Sequence, residues 1–447
     1  MANTYLTRTP SSTGNQQKVT FSVWIKRCKS GSEAIYSIGG SVDQNYYVDL
    51  IFDSGFLEMN WYDGSGNHSI KTNRLFRDTS AWYHLVVAID TTQSTASNRV
   101  KIYVNGILET SFSSADYMNQ NQNMLFNTSS REIRIGQRVN GSDSANIIMS
   151  HFNCADGTAY APTVFGETDS TTGEWKIKTS PSFTLGTNGF TILKDGNTIT
   201  DQSANSNNFS LGGGTITVTK DCPDNVFATL NPLMPLGSNI AYSNGNLTIT
   251  PGTSDYKTTA STIAVSSGKF YTEFKAVSGH NGSTDVSIGI VGADTFLAST
   301  GSKAMSAYTN AFSYGSGGLV KQYNGSTIRT DATYTNGDII GIAVDMDNLK
   351  LYWSKNGTFQ NSGNPASGST GTGAVLIPSG QPYYICATTI SSGGVKVFSA
   401  NFGNGFFGTT AITTNSGNGY AGADGKSKFN YAVPSGYSAL STKGLNQ

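Results

Sequence analysis

The chain has 447 residues, of which 13% are charged, and its 29 basic and 29 acidic residues give a formal net charge of zero. No basic block stands out, so broad electrostatic attraction to nucleic acid is not expected. Nor is there an apolar run near the roughly 18 residues of a membrane span, so membrane insertion is not expected. The N-terminus lacks the pattern of a secretory signal and is typical of a protein made in the cytoplasm.

The composition favours an all-β protein with more than one domain. The charged share is about half of the roughly 25% that is usual in soluble domains. The 51 glycines, with many Ser, Thr and Asn, are typical of short strands joined by tight turns, because helix surfaces normally carry Glu, Lys and Arg. A chain of this length is expected to fold as two or three domains.

The first part of the chain reads as a succession of strands. Residues 20–27, TFSVWIKR, alternate apolar and polar side chains as a half-buried strand does. Later strands follow at intervals of about 10 to 15 residues, with Gly, Ser and Asn between them, which indicates an antiparallel sandwich. The order of a Trp-bearing strand, WYHLVVAID, KIYVNG and IRIGQR resembles the laminin-G or concanavalin-like jelly roll. The resemblance covers residues 1–160, which we assign to a first domain.

Residues 147–232 carry a series of turn-forming motifs. These are Asp156 to Ala159, Phe165 to Glu167, Trp175 beside Lys176, and Asp221, Pro223 and Asn225. In this order they resemble the segment that follows such jelly rolls in virion proteins of tailed bacteriophages, especially marine ones. The alternative is that they only shape long loops tied back onto the sheet. We expect residues 161–235 to form an extended loop block and linker packed on the first domain.

A domain boundary is predicted near residues 228–250, where two prolines and a polar run interrupt the strand periodicity. Residues 255–405 then resemble a SPRY domain. The matching features are Ser-Gly-Lys before an aromatic strand with Glu273, the hairpin at 337–357, and the Asn-Phe-Gly that begins at Asn401. The ending FNYAVPSGYSALSTKGLNQ is similar to that of phage proteins with this arrangement. The second domain is assigned to residues 236–447.

One hairpin pattern occurs twice, at residues 85–106 and 337–357. Each copy closes an apolar strand on Ala, an aliphatic residue and Asp, and returns through a strand that ends in Asn-Gly. The Asn-Gly pairs supply the positive φ that tight hairpin turns need. Trp353 and Tyr103 are expected to face opposite ways, one inward and one outward. Because side chains alternate across a strand, one buried face is predicted to hold Ile340, Ile342, Val344 and Met346.

Both resemblances imply the same architecture, since laminin-G jelly rolls and SPRY domains are concanavalin-like sandwiches. The predicted fold is therefore all-β, with two concanavalin-like antiparallel β-sandwiches (jelly rolls) in tandem. Such a pair can bury enough apolar area to be stable without metals or disulfides. Spacing does not exclude disulfides, but we expect buried free thiols. The four cysteines are Cys28, Cys154, Cys222 and Cys386.

Catalytic constellations are not found. There is no G-x-S-x-G elbow, and His84 is expected to be a packed residue of its strand. Sandwich glycosidases need two carboxylates across the sugar, whereas the SPRY-like strand offers only Glu273. The acids in FGETDSTTGEW lie among turn formers. The four histidines, none of which lies in a triad setting, are His68, His84, His151 and His280.

Metal and cofactor sites are not assigned either. His151 and Cys154 have no second ligand pair at zinc spacing. Asp90, Asp345 and Asp347 lie beside turns, where carboxylates could contribute oxygens to Ca²⁺. Turn formation is the favoured interpretation, and the sequence leaves a loop-rim Ca²⁺ open.

Surface recognition remains as the predicted kind of chemistry. Aromatic residues on rigid sandwich loops can stack on sugars or peptides. The candidates lie in a Gly/Ser-rich span between SPRY-like strands, and the alternative is that they pack beneath the loop. These loop aromatics are Tyr308, Phe312, Tyr314 and Tyr323.

The sequence and its resemblances predict a non-enzymatic structural protein of a bacteriophage particle, either capsid decoration or a tail fibre or spike, that binds a host-surface glycan or protein. Its expected partners are other virion proteins and copies of itself, a trimer being one such assembly, and avidity would add to weak contacts. Its expected location is the virion, assembled in the host cytoplasm. One alternative is a depolymerase that cleaves host polysaccharide. The other is a cellular SPRY adaptor, which the phage-like block argues against.

Overall fold

The computed structural model describes residues 3–40, 46–194, 199–234, 239–282, 286–298, 303–322, 325–412 and 420–446. The chain divides into two compact units, Met1–Val218 and Thr219–Gln447. Both units consist of β-sheets, so the predicted all-β class is confirmed. No helix in the described part of the chain is long and apolar enough to cross a membrane.

The strands of the first unit form two large sheets and one two-stranded ribbon. They are β1 (Tyr5–Arg8), β2 (Lys18–Arg27), β3 (Glu33–Gly39), β4 (Tyr47–Asp53), β5 (Phe56–Tyr62), β6 (Asn67–Leu75), β7 (Trp82–Asp90), β8 (Val100–Val104), β9 (Ile107–Leu108), β10 (Phe112–Ala115), β11 (Glu132–Ile135), β12 (Ile147–Asp156), β13 (Gly166–Thr168), β14 (Trp175–Ile177), β15 (Phe190–Ile192) and β16 (Ser210–Gly213). Short 3-10 helices lie at Ala96–Asn98 and Pro162–Val164.

The two sheets of this unit enclose one apolar core. Sheet I has the order β10-β6-β5-β4-β3-β11-β1-β16, and sheet II has the order β15-β12-β2-β7-β8-β9. Side chains alternate along each strand, so Val48 and Leu50 of β4 enter the core while Tyr47 and Asp49 point to the outer face of sheet I. The hairpin β13–β14 stands apart from both sheets as a two-stranded ribbon.

The second unit repeats the sandwich plan. Its strands are β17 (Ile240–Ser243), β18 (Thr248–Pro251), β19 (Lys257–Val265), β20 (Lys269–Ser278), β21 (Ser287–Gly292), β22 (Ala311–Gly315), β23 (Leu319–Gln322), β24 (Ser326–Thr330), β25 (Ile339–Asp345), β26 (Lys350–Lys355), β27 (Thr358–Phe359), β28 (Val375–Leu376), β29 (Tyr383–Thr389), β30 (Val397–Asn401), β31 (Phe406–Phe407), β32 (Thr410–Ala411) and β33 (Ser438–Ala439). The helix α1 (Ala293–Ala298) follows β21, and 3-10 helices lie at Met305–Ala307, Gln360–Ser362, Pro365–Thr370 and Gly444–Asn446.

Sheets III and IV enclose the core of this unit. Sheet III has the order β17-β18-β30-β20-β25-β26-β27, with β28 beside β26 and β33 parallel to β20. Sheet IV has the order β19-β29-β21-β22-β23-β24. Their facing side chains, among them Phe274, Ile288 and Trp353, are buried together.

The unit boundary lies earlier in the chain than the predicted one after residue 235. Phe227 and Leu230 are already buried in the cores of the second unit, and the main-chain nitrogen of Ala228 donates to Leu440 O at 2.8 Å. By contrast, β16 pairs with β1 of the first unit. The linker assignment is therefore corrected to end at Val218, because the residues after it supply apolar side chains to the second sandwich.

The repeated hairpin is observed in both units, as β7–β8 in sheet II and β25–β26 in sheet III. The Asn-Gly turns have positive φ, 50° and 80° at Asn105-Gly106 and 48° and 84° at Asn356-Gly357. Trp353 is buried in the core while Tyr103 lies on the outer side of its strand, which confirms their opposite orientation. The predicted inward face is also confirmed, with Ile340, Ile342, Val344 and Met346 in one core.

The sequence alignment of the two return strands is displaced by two residues from the structural one. Val100 pairs with Ile89, the residue before the terminal Asp90, whereas Leu351 pairs with Val344, the residue before Asp345. Leu349, the residue aligned by sequence, lies in the turn at φ 56°. The loop of the second copy is shorter, and its return strand therefore starts to pair two residues later in the shared sequence pattern.

Candidate functional site

A cavity of about 320 Å³ opens on the outer face of sheet I in the first unit. Its size lies at the lower end of the range of about 300 to 1,000 Å³ for small-ligand sites. Gly40, Tyr46 and the start of β4 line one side, and the loop after β11 lines the other. The lining residues are Gly40, Tyr46, Tyr47, Asp49, Arg138, Val139 and Asn140.

Asp49 of the cavity lining belongs to a row of polar side chains that crosses the strands. Ser37, Asp49 and Asn60 are neighbours in register on β3, β4 and β5, so they share the outer face. The Ser37 hydroxyl donates to Asp49 Oδ1 at 2.5 Å and accepts from the main-chain nitrogen of Val139 at 3.0 Å. These bonds attach the loop after β11 to the sheet.

Arg138 is held in one orientation by three acceptors. Its Nε donates to Asp49 Oδ2 at 2.8 Å, its Nη1 to Asp143 Oδ2 at 3.2 Å, and its Nη2 to Asn60 Oδ1 at 3.2 Å. Burial raises the pKa of Asp49, although the nearby Arg138 guanidinium opposes that rise. A guanidinium fixed in this way keeps N–H groups available to a ligand without a large reordering cost.

Aromatic rings provide the other kind of contact. Tyr46 is 38% exposed at the mouth of the cavity, and its ring meets Tyr62 edge-on with centroids 6.1 Å apart. The Arg138 guanidinium carbon lies 5.9 Å from the centroid of the Tyr47 ring. Asn140 is exposed, and because its Oδ1 accepts from Ser142, its Nδ2 remains as a donor toward solvent. Ring faces next to fixed donors suit an uncharged polyhydroxylated ligand.

The predicted loop aromatics are not available for such contacts. Tyr308, Phe312 and Tyr314 are 1%, 5% and 0% exposed. Phe312 and Tyr314 lie on strand β22, and Tyr308 directly follows the 3-10 helix Met305–Ala307, so these rings face protein rather than an open loop. The Tyr314 hydroxyl donates to Ala332 O, and burial raises its pKa. Tyr323 lies outside the described residues.

The sequence did not point to Tyr46, Tyr47, Arg138 or Asn140. Their signals were present as paired tyrosines at the start of YYVDLIFD and as the polar turn GQRVNGSDS. The two segments are about 90 residues apart in sequence, and only the pairing of β3 with both β4 and β11 brings them together.

His84 is a packing residue, as predicted, and not a general base. It is buried, its Nε2 lies 3.0 Å from the Ser22 hydroxyl, and its Nδ1 accepts from Trp175 Nε1 at 2.9 Å. An accepting Nδ1 places the single proton on Nε2, so the ring donates to Ser22 and cannot take its proton. Burial lowers the pKa of His84 to about 3.

The motifs that resemble the phage segment act as loop anchors. The Oδ1 of Asp156 accepts from the main-chain nitrogen of Asn15 at 2.7 Å and from Asn127 Nδ2 at 2.9 Å, while its Oδ2 accepts from the nitrogen of Asn188 at 2.9 Å. Trp175 packs against Gly106 and Gly166, where a Cβ atom would strike its ring. These contacts agree with the alternative in which such residues shape loops tied back onto the sandwich.

The carboxylates considered as metal ligands are engaged within the protein. Asp345 accepts from the main-chain nitrogen of Asn348 at 2.9 Å and lies 3.3 Å from the Lys269 amine. Asp347 accepts from the nitrogen of Gly268 at 2.7 Å. Asp90 bonds Thr92 and Gln93 and lies 3.3 Å from the Lys18 amine. Within the described ranges, no group of three or more His, Cys, Asp or Glu side chains could hold a metal ion.

The acids considered for sugar cleavage are also accounted for. Glu273 is buried under the C-terminal segment of the chain. Glu167 and Asp169 lie on the exposed β13–β14 hairpin, where Lys176 is 3.4 Å and 3.2 Å from their carboxylates. Neither location is a cleft in which two carboxylates flank a sugar ring.

A second cavity of about 410 Å³ lies at one end of the second unit. It is formed by the turn at Ser266, the turn at Met346 to Leu349 and the loop at residues 379–382. Among its described lining residues, Asp347 is the one that is charged, and none is aromatic. It therefore offers fewer groups for specific recognition than the cavity of the first unit.

Comparison with known proteins supports the fold of the first unit. A laminin G family model, described as the concanavalin A-like lectin/glucanases superfamily, matches residues 2–154. The cavity bounded by Tyr46 and Arg138 lies entirely within the matched residues. No match was found among the curated proteins.

Three solved structures with some similarity to the chain are from animals. The SPRY domain of human HERC1 is 17% identical and covers 38% of this chain and 96% of that chain, with a TM-score of 0.31. Domains LG4-5 of the mouse laminin alpha1 chain are 12% identical, and the match covers 86% of this chain and 78% of that chain, with a TM-score of 0.29. The SAP-like pentraxin of Limulus polyphemus is 17% identical, and the match covers 36% of this chain and 78% of that chain, with a TM-score of 0.24. At these TM-scores, function has to be argued from the residues of this chain.

Proposed function

We propose that the chain is a non-enzymatic glycan-binding protein that holds a sugar residue in the cavity between Tyr46, Tyr47 and Arg138. The observation that carries this proposal is the combination of tyrosine rings with a guanidinium already fixed by Asp49 and Asn60. A sugar ring presents C–H groups on one face and hydroxyl groups at its edge, so it requires both kinds of contact at once.

The electrostatics of the cavity favour a neutral or weakly charged sugar. Arg138 is shared by Asp49 and Asp143, at 2.8 Å and 3.2 Å, so its charge is balanced inside the protein. A strongly anionic ligand would meet two carboxylates, and a cationic ligand would compete with Arg138 for them. Hydroxyl groups can accept from the guanidinium and from Asn140 Nδ2 without disturbing either ion pair.

A depolymerase is the second candidate, because two carboxylates lie beside Arg138 and burial raises the pKa of Asp49, as a general acid requires. Binding without cleavage is favoured, since Asp49 lies beneath Arg138 with only 4% of its side chain exposed. Both of its oxygens already accept hydrogen bonds, from Ser37 and Arg138. A carboxylate covered in this way does not reach a glycosidic oxygen.

We further propose that the protein works in a bacteriophage particle, as capsid decoration or in a tail fibre or spike, assembled in the host cytoplasm beside other virion proteins. The support is the resemblance of residues 147–232 and of the C-terminal ending to phage virion proteins. A homo-oligomer such as a trimer would multiply a weak single-site affinity. Electron-microscopic localisation of the chain on phage particles tests this placement, and its absence from purified particles would overturn it.

The binding proposal is tested with Tyr46→Ala and Arg138→Ala against a glycan array, followed by titration of the best glycan. Each change should weaken binding about tenfold or more, because loss of one stacked ring or one fixed donor costs about 1 to 2 kcal/mol. Tyr420→Ala is the matched control, since this tyrosine of the second unit is similarly exposed, at 40% against 38% for Tyr46.

Two results would contradict this function. Equal affinity of the Tyr46 and Arg138 variants and the Tyr420 control would remove the site from glycan binding. New reducing ends after incubation with host polysaccharide would instead indicate a depolymerase, and loss of those ends in Asp49→Asn would identify the acid.

A further inference from the structure

The C-terminal part of the chain covers the outer face of sheet III. Tyr271 and Tyr352 project outward from β20 and β26, on the side opposite the core. Phe429 and Tyr437 of the C-terminal part pack on them and are fully buried. We call residues 420–441 the strap.

The strap is held by its main chain as well as by its rings. β33 runs parallel to β20, with Ser438 beside Phe270 and Ala439 beside Tyr271. β30 pairs with β20 only from Glu273 onward. β33 therefore pairs with the part of β20 before Glu273, where β30 is absent from that edge. The strap therefore completes sheet III.

A single buried carboxylate joins the strap to the sheet. Glu273 points outward from β20 and is fully buried beneath the strap. Its Oε2 accepts from the main-chain nitrogen of Asn430 at 2.8 Å and its Oε1 from that of Tyr431 at 2.9 Å. Asn401 completes the junction, because its Nδ2 donates both to Glu273 Oε2 at 3.2 Å and to Lys428 O at 3.0 Å.

Glu273 is also the only group of this junction that titrates near neutral pH among the described residues. The other titratable groups facing it are Tyr271 of its own strand, at 3.3 Å, and Tyr431 of the strap, and burial raises the pKa of both. The charge of Asp338 also raises the pKa of Tyr431. Burial alone would raise the pKa of Asp338, but hydrogen bonds and the Lys355 amine, 3.2 Å away, lower it. Lys428 contributes its main-chain carbonyl.

We propose that the strap is a releasable cover of sheet III and that the protonation state of Glu273 controls its seating. When the strap is in place, the carboxyl group is removed from water, and when the strap lifts, the carboxyl group is hydrated again. Proton binding and strap binding are therefore linked. The Tyr271 hydroxyl can donate or accept, so it suits the charged and the neutral carboxyl group.

The direction of the linkage follows from the burial of Glu273. Burial raises its pKa from the ordinary 4.5 to about 7, so the seated strap favours the protonated carboxyl group. Stabilisation by this group is complete below about 4.5 and is lost as the pH rises through 7. The ratio of seated to released strap should fall with rising pH, by at most about 300-fold, which is the difference between the two pKa values expressed as a ratio.

Hydrogen–deuterium exchange of the full chain, with mass spectrometry of peptides that cover residues 425–441, tests this proposal. Protection factors corrected for intrinsic exchange should fall more than tenfold between pH 5 and pH 8.5. Glu273→Gln should make strap protection the same at both pH values. Tyr271→Phe removes one donor to the carboxylate, so it should move the midpoint to higher pH.

Asp294→Asn is the control, because this exposed acid at the start of α1 is remote from the strap in the fold and should leave the wild-type profile unchanged. Flat protection of the wild-type strap from pH 5 to 8.5 would overturn the proposal, whatever the variants show. The same pH dependence in Glu273→Gln as in the wild type would overturn it too, since another group would then be responsible.

Discussion

In each unit, the sheet that contains the repeated hairpin is covered on its outer face, but the covering segments are held by different chemistry. In the first unit, the β13–β14 hairpin lies on sheet II, where Trp175 stacks on His84 with ring centroids 6.0 Å apart and donates to its Nδ1. In the second unit, the strap lies on sheet III and is bound by Glu273. One cover is held by a neutral aromatic pair and the other by an ionisable carboxyl group.

The two attachment points lie close to each other in the shared scaffold: Glu273 is on β20, and His84 is on β7, which pairs with β2, the counterpart of β20. Lys18 of β2 pairs in register with Asp90, and Lys269 of β20 pairs in register with Asp345, each with its amine 3.3 Å from the carboxylate. Four residues after each lysine come Ser22 and Glu273, on the same face of corresponding strands. Ser22 contacts His84, and Glu273 contacts the strap directly.

This difference teaches that neighbouring positions of one scaffold can bind a covering segment with opposite dependence on pH. Burial lowers the pKa of His84 and raises that of Glu273, so each group favours its neutral form when covered. Acid therefore acts against the cover of the first unit, and base acts against the cover of the second.

Removal of the strap should produce the largest effect on this comparison. A chain that ends at residue 419 lacks Phe429, Tyr437 and Leu440, and burial of each such side chain is worth about 1.5 to 3 kcal/mol. The sum, roughly 5 to 9 kcal/mol, is comparable to the whole stability of a typical domain. Exchange protection of β25 should fall strongly, while that of β7 in the first unit is kept.

The matched control for the truncation is a chain that ends at residue 443, which keeps the rings of the strap and β33. It should retain protection of β25. Unchanged exchange protection of β25 without residues 420–447 would show that the strap does not stabilise sheet III.

The sequence was sufficient for the architecture because the informative features are local. Alternation along strands located the core faces, and positive φ at Asn-Gly located two hairpin turns, as at Asn356-Gly357. The second copy of the hairpin identified two related sandwiches, and the register of β7–β8 and β25–β26 confirms that relation apart from the two-residue offset at Leu349.

The covers and the candidate site were not predictable because they depend on distant pairings. A period of two shows that Glu273 faces away from the core, but not that the main chain at residues 430 and 431 donates to it. The prediction of loop aromatics is wrong for a related reason. The Gly/Ser-rich composition around Phe312 and Tyr314 indicates a loop, yet these residues lie on a strand that pairs with both neighbours. Polarity alone does not separate an edge strand from a loop.

The pH dependence of the first cover is the next most sensitive test. His84 has a pKa of about 3 when buried, below its ordinary 6.5, so stabilisation by this group is present above pH 6.5 and is lost as the pH falls. Exchange from peptides of the β13–β14 hairpin should therefore increase at acid pH, by at most about 30-fold between pH 6.5 and pH 5. Strap peptides in the same samples should become more protected.

His84→Asn keeps a polar side chain at this position without a group that titrates in the range. It should weaken the attachment of Trp175 at every pH and abolish the acid dependence. Parallel pH profiles for the two covers in the wild type would contradict the difference drawn here between an aromatic and a carboxyl attachment.

The smallest effect should come from breaking the lysine–aspartate pair that each unit contains. The two losses in stability should differ because the pair is more deeply buried in the second unit than in the first. The Asp345 side chain is fully buried, whereas that of Asp90 is 11% exposed, and Lys269 and Lys18 are 28% and 37% exposed. Lys269→Met should therefore cost the second unit about 1 to 2 kcal/mol, because it leaves a buried carboxylate with only its Asn348 bonds. Lys18→Met should cost the first unit less than about 1 kcal/mol, as is usual for a partly exposed pair. Chemical denaturation, followed by exchange in β25 and β7 separately, compares the two losses, and equal losses would mean that the shared pair is equivalent in both sandwiches and that only the covers differ.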